Sequence, residues 1–167
     1  LNRVTIREGL RIAQVFSALS AATKLPVEDF ESVTLKQLGL PTTLPSLEGY
    51  LFPATYSFAK DDTARGVLQQ MVDRMNEELN SFGVSATQRH KVLTLASIVQ
   101  KEARLEPDFY KVARVFQNRI GQGMLLQSDA TVSYGSNGTT VTTTDAERAD
   151  IARETAELET QPDFERE

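Results

Sequence analysis

Between residues 64 and 82, Ala64, Val67, Leu68, Met71, Val72, Met75, Leu79 and Phe82 recur at intervals of three and four. That periodicity predicts a long helix with one continuous apolar face. A stripe of this length must be covered by other elements, so it dictates a packed core. Asp61-Asp62-Thr63 is suited to start the helix and Gly83 to end it. The segments before it are short. Residues 2–6 read as a strand, and residues 8–23 as an amphipathic helix with Ile12, Val15, Phe16 and Leu19 inward. Pro26 suits the first turn of a helix reaching Phe30. Another short helix is expected over 35–38, stopped by Gly39 and Pro41. Residues 41–60 carry Pro41, Pro45, Gly49 and Pro53 and predict an ordered loop or irregular strand rich in aromatics.

Beyond Gly83, Ser85 or Thr87 is placed to cap a helix that runs through Glu102. Pro107 opens the next helix, with Val112, Val115, Phe116 and Arg119 at helical spacing, until Gly121 and Gly123 break it. Residues 124–134 suit a short hairpin or extended loop. Gly135-Ser136-Asn137-Gly138 is a turn signal. The threonine-rich run 139–144 is expected to be exposed, and the tail from Asp145 is charged. The fold class expected from this pattern is α+β, mainly helical with short strands.

At 167 residues the chain suits one domain, or a domain with a small appendage. Forty per cent hydrophobic residues is enough for a core. With 18 basic and 23 acidic residues, a net charge of −5 and no dense Lys/Arg run, no nucleic-acid partner is expected. The absence of cysteine excludes disulfides and thiolate metal sites, and His90 alone cannot build a multi-histidine centre. No cofactor is expected. No apolar run reaches membrane-spanning length. The start at Leu1, without an initiator Met, suggests that an upstream anchor or signal has been removed.

One residue stands out chemically. In Leu95-Ala96-Ser97-Ile98-Val99-Gln100-Lys101-Glu102-Ala103, helical spacing puts Glu102 on one face with Val92, Leu95, Ile98 and Val99. A carboxylate in an apolar stripe loses hydration, which raises its pKa. A carboxyl group still partly protonated near neutral pH is what general acid catalysis needs. Periodicity alone favours the other reading, in which Glu102 sits at the helix end and turns outward to water, because buried glutamate is rare.

Three segments in order resemble the YceG-like (MltG) family of endolytic murein transglycosylases. The first is Glu48-Gly49-Tyr50-Leu51-Phe52-Pro53-Ala54-Thr55-Tyr56, with Ala54 where the family has an acid. The second is Ala96-Ser97-Ile98-Val99-Gln100-Lys101-Glu102, similar to Ala-Ser-(Ile/Leu)-(Ile/Val)-Glu-Lys-Glu. The third is Val115-Phe116-Gln117-Asn118-Arg119-Ile120 followed by Gly123-Met124-Leu125-Leu126-Gln127-Ser128-Asp129-Ala130-Thr131-Val132-Ser133-Tyr134-Gly135. The resemblance covers roughly residues 4–135. It implies that Glu102 is the catalytic acid, with Gln100 replacing the first glutamate of the triplet.

The implied reaction needs one carboxyl group, whereas a conventional glycosidase needs a pair. Glu102 would protonate the glycosidic oxygen, and its conjugate base would accept the proton of the muramyl sugar's own primary hydroxyl as a 1,6-anhydro ring closes. Gln127, Ser128, Asp129, Thr131 and Tyr134 are hydrogen-bonding groups suited to sugar hydroxyls and N-acetyl groups. Asn118 suits a substrate amide or a brace for the Gln127 loop. Glu48 suits either substrate orientation or the bracing of a helix end or loop. Tyr50, Phe52 and Tyr56 suit either stacking on sugar faces or local core. Asp129 is suited to brace its own turn, and Arg119 to pair with an acidic partner.

The resemblance further implies a lysozyme-like cleft and three parts: residues 1–6 as the remnant of a small LysM-like domain, 7–138 as the catalytic domain, and 139–167 as an exposed tail. The Tyr-Asn-Thr-Tyr and Gly-Leu-Pro-Pro-Gly-Pro-Ile-like segments with which the family continues are not recognisable in that tail. The implied setting is the extracytoplasmic face of the bacterial membrane, in a parent protein held by a single-pass anchor outside this chain. The implied partners are peptidoglycan glycan strands and cell-wall synthesis proteins. Two rival readings are a non-catalytic glycan-binding or scaffolding remnant of the family and a helical protein-interaction domain.

Overall fold

A computed structural model describes residues 1–103 and 105–135. The turn expected at 135–138 beyond Gly135, the threonine-rich run and the charged tail lie outside the described residues. The chain divides into two compact units, Leu1–Ser97 and Ile98–Glu167. Among the described residues the elements are mainly helical, with one two-stranded sheet.

In the first unit, β1 (Asn2–Thr5) pairs antiparallel with β2 (Thr55–Phe58), with Asn2 opposite Phe58 and Thr5 opposite Thr55. The irregular segment 41–60 therefore contains a regular strand, whose alternation turns Phe58 inward and leaves Ser57 exposed. The first helix, α1 (Ile12–Thr23), starts later than its apolar spacing suggests. Gly9 takes a positive φ of 73° in a turn, which a helix cannot accommodate. Pro26 stands just before α2 (Val27–Glu31), and a single 3-10 turn, Lys36–Leu38, ends at left-handed Gly39.

The long helix is α3 (Ala64–Ser81), capped by the Thr63 hydroxyl, which accepts the Gly66 N–H at 3.1 Å. Its stripe from Ala64 to Leu79 is buried as its spacing requires. Phe82 departs from the expected pattern and is 78% exposed. The chain has already left the helix there: the Gly83 N–H donates to the Asn80 carbonyl and the Val84 N–H to that of Leu79, both at 2.9 Å. This is the double closure of a Schellman motif. Phe30, Phe58, Leu19, Leu68 and Met71 form the most buried part of the core, with the Phe16 and Phe30 rings stacked 6.0 Å apart.

The boundary between the units falls within α4 (Arg89–Glu102). At its start, the Arg89 guanidinium donates to the Asn76 and Asn80 side-chain oxygens at 2.8 and 2.7 Å, fastening α4 to α3. Leu93 packs against the first unit's core, while Val92, expected inward, is exposed. Successive helical residues differ by about 100° around the axis, so burying Leu93 turns Val92 toward water.

The second unit contains the end of α4, then α5 (Glu106–Gly121), with Pro107 in its first turn, and α6 (Asp129–Gly135). Val99, Ala103 and Phe116 are buried. The expected hairpin or extended loop at 124–134 is corrected in its second half, which is helical. Ser128 lies at the cap position of α6, its carbonyl accepting the Val132 N–H, and Asp129 places negative charge in the first turn. These end effects outweigh the modest helix cost of the β-branched Thr131 and Val132.

Candidate functional site

Glu102 lies in the last turn of α4 and is half-buried. Of the two readings left by periodicity, full exposure to water is thereby excluded. The Ser128 hydroxyl donates to the Glu102 Oε1 atom. Ser128 is 3% exposed, so this hydroxyl gives the carboxyl group a fixed partner shielded from solvent. A hydroxyl donates to a carboxylate and accepts from a carboxylic acid, so the contact is compatible with either protonation form of the Glu102 carboxyl group. Gln100, two residues back, is exposed and points away, as helical geometry requires.

The segment leading into Ser128 is held from several sides. The Arg119 carbonyl accepts the Met124 N–H at 2.8 Å, and the Arg119 guanidinium donates to the Leu126 carbonyl. Gln127 then takes a left-handed φ of 52°. For a residue with a Cβ this costs about 1–2 kcal/mol and persists only where the surroundings impose it. The Thr131 hydroxyl donates back to the Ser128 carbonyl at 2.7 Å. Thr131 thus braces the cap of α6. Asn118, Gln127, Asp129 and Tyr134 belong to the same unit and present exposed side chains.

The candidates from the first unit have local partners. Glu48 Oε1 accepts the backbone N–H of Ile12 at 3.1 Å. Since α1 has no acidic residue in its own first turn, Glu48 supplies the negative charge favoured at a helix N-terminus. Tyr50 is 4% exposed; its hydroxyl meets His90 Nδ1 at 3.2 Å and its ring stacks on the imidazole. Burial pushes the Tyr50 phenol above its ordinary pKa, opposed by the Arg89 guanidinium. Tyr56 is half-buried, stacked on Phe58, and donates to the Phe52 carbonyl at 2.6 Å. Burial lifts its phenol to about 12 against a smaller opposing effect of Arg74, whose guanidinium lies 5.6 Å from the centre of the Phe52 ring. The contacts found are a brace from Glu48 to the start of α1, ring stacking at Tyr50 and Tyr56, and the Arg74 guanidinium over the Phe52 ring.

Sequence reasoning did not foresee the use of Arg119. Its position in the last turn of α5, ahead of Gly121 and Gly123, was the available signal, because a cation there can reach the returning chain. Instead of the acidic side chain expected for it, the observed partner is a backbone carbonyl. Among the described residues no group of three His, Asp or Glu side chains is arranged to hold a metal ion, and no helix is long and apolar enough to cross a membrane.

Comparison with known proteins places these features in context. The profile of the YceG-like family matches residues 1–161. An endolytic murein transglycosylase of Bacillus subtilis is 30% identical over 156 residues, which cover 80% of this chain and 43% of that protein. One from Streptococcus pneumoniae serotype 2 is 36% identical over 92 residues, or 53% of this chain and 17% of the relative. The chain therefore spans less than half the length of these curated relatives. The crystal structure of a yceG-like protein from Listeria monocytogenes aligns with a TM-score of 0.70 at 27% identity, covering 87% of this chain and 55% of that one.

Proposed function

This chain belongs to the YceG-like family, and from that premise we propose that it is the acid-bearing part of an endolytic lytic transglycosylase acting on peptidoglycan glycan strands. The observation that carries the reading is the half-buried Glu102 carboxyl group held by the buried Ser128 hydroxyl. In this reading a glycan strand lies in a lysozyme-like cleft beside the last turn of α4. Glu102 gives its proton to the oxygen between a muramyl and a glucosaminyl sugar, and the bond from that oxygen to the muramyl carbon breaks. The sugar's primary hydroxyl closes on the carbon, and its proton returns to Glu102. No water is consumed, so one carboxyl group suffices in both directions of proton transfer. Asn118, Gln127, Asp129 and Tyr134, with their exposed polar groups, are the proposed contacts to sugar hydroxyls and amides. The setting that fits this substrate is the extracytoplasmic face of the bacterial membrane, in a parent protein anchored outside this chain and working beside cell-wall synthesis proteins.

The test is mass spectrometry of the products released from purified sacculi by wild type and by Glu102→Gln. Fragments ending in 1,6-anhydro sugars, one water lighter than hydrolytic products, are expected from wild type and not from the variant. Equal release by the variant refutes the acid role. Hydrolytic ends refute the lytic mechanism. Glycan binding without turnover by wild type supports instead a non-catalytic glycan-binding role.

A further inference from the structure

The left-handed Gln127 stands between two hydrogen bonds that run in opposite directions along the chain. Behind it, the half-buried Arg119 guanidinium donates to the Leu126 carbonyl. Ahead of it, the buried Ser128 hydroxyl donates to Glu102. The Leu126 carbonyl belongs to the peptide plane that precedes Gln127, so fixing that oxygen fixes the plane from which φ of Gln127 is measured. The value of φ then sets the direction in which Ser128 leaves. Arg119 also holds Met124 through its own backbone carbonyl at 2.8 Å. Both ends of segment 124–126 are thereby tied to one residue of α5, a regular helix rather than a loop.

We propose that Arg119 is a positioning residue for Glu102, acting through the Leu126 carbonyl and left-handed Gln127 to press the Ser128 hydroxyl against the carboxyl group. This deepens the proposed function and rests on Glu102 being its acid. Arginine suits the task because its planar fork stays charged at any working pH and makes strong directional bonds to oxygen, whereas lysine offers a mobile point charge. Catalytic geometry is unforgiving: a misplacement of about 1 Å can cost roughly 100-fold in rate.

The experiment compares full-length R119Q, R119K and S128A with wild type, and K101Q as a control on the exposed side of α4. Two quantities are measured: the carboxyl carbon resonance of Glu102 in glutamate-labelled protein, and kcat and KM on soluble glycan strands. The resonance is expected to move in S128A and in the same direction in R119Q, by a smaller amount in R119K, and not in K101Q. Turnover is expected to fall roughly 10- to 100-fold in R119Q with KM little changed, and R119K to recover part of it. A Glu102 resonance that shifts in S128A but stays in place in both Arg119 variants overturns the positioning role. If R119Q fails to fold, R119K, which keeps the charge and loses the fork, decides the question alone. Wild type that cleaves no glycan refutes the acid reading by a separate measurement, while the resonance still reports whether Arg119 sets the environment of Glu102.

Discussion

Replacing Glu48 with alanine separates a structural carboxylate from a substrate-binding one. The backbone N–H of Ile12, first residue of α1, loses the oxygen that now accepts it at 3.1 Å, and α1 loses a negative charge at its N-terminus. Loss of a side-chain cap typically costs about 1 kcal/mol, and loss of the helix-end charge roughly 0.3–1 kcal/mol. The expected total is about 1.5 kcal/mol. Half-burial of Glu48 limits it, because water can partly replace the missing oxygen. The packing of Val15, Phe16 and Leu19 should keep the rest of α1 in place. With a urea slope of about 1–3 kcal/mol per molar, the unfolding midpoint should fall by about 0.5–1.5 M at unchanged slope. Glu48→Gln keeps an acceptor oxygen and loses only the charge, so it should lose roughly 0.3–1 kcal/mol. The assay is equilibrium urea unfolding followed by far-ultraviolet circular dichroism. An alanine variant with the wild-type midpoint refutes the bracing role. If that variant also loses glycan binding, the carboxylate belongs to the substrate.

Phe30→Ala should be among the most damaging single changes, since Phe30 is fully buried and stacked on Phe16. A loss of about 3–5 kcal/mol is expected, and a calorimetric melting temperature close to wild type would contradict the assigned core. Tyr56 should make the first unit sensitive to alkali. Its phenol is raised from 10.0 to about 12, so the folded chain holds a proton that the unfolded chain releases. The resulting stability is complete below the unfolded value and declines as pH rises from about 10 to about 12. Chemical denaturation across that window should show a steeper decline for wild type than for Tyr56→Phe, and parallel curves would argue against burial as the cause.

Much of the first unit was legible because its signals are local. The spacing from Ala64 to Leu79, the Thr63 cap and the stop at Gly83 act within one or two turns of chain, and they reappear as α3 with its buried stripe. Glu102 was singled out in two steps: periodicity marked an unusual carboxylate, which the structure finds half-buried, and resemblance to a family implied the task proposed for it. The rest was decided partly by helix ends that residue spacing does not reveal and partly by contacts between distant residues. Phe82 kept the apolar spacing but fell one residue past the end of the helix. Val92 kept the stripe, yet the core took Leu93. Residues 129–135 have the β-branched content of an extended segment, but the Ser128 carbonyl and the Asp129 charge made them helical. Glu48, 36 residues from Ile12, found its role at a helix end that no nearby sequence announces. Ser128 meets Glu102 across 26 residues, after α5 and a return segment in which the Arg119 guanidinium holds the Leu126 carbonyl and Gln127 takes a left-handed φ. Periodicity and caps are short-range properties that a sequence displays directly, whereas the partner of a particular oxygen depends on how the packed elements bring distant segments together.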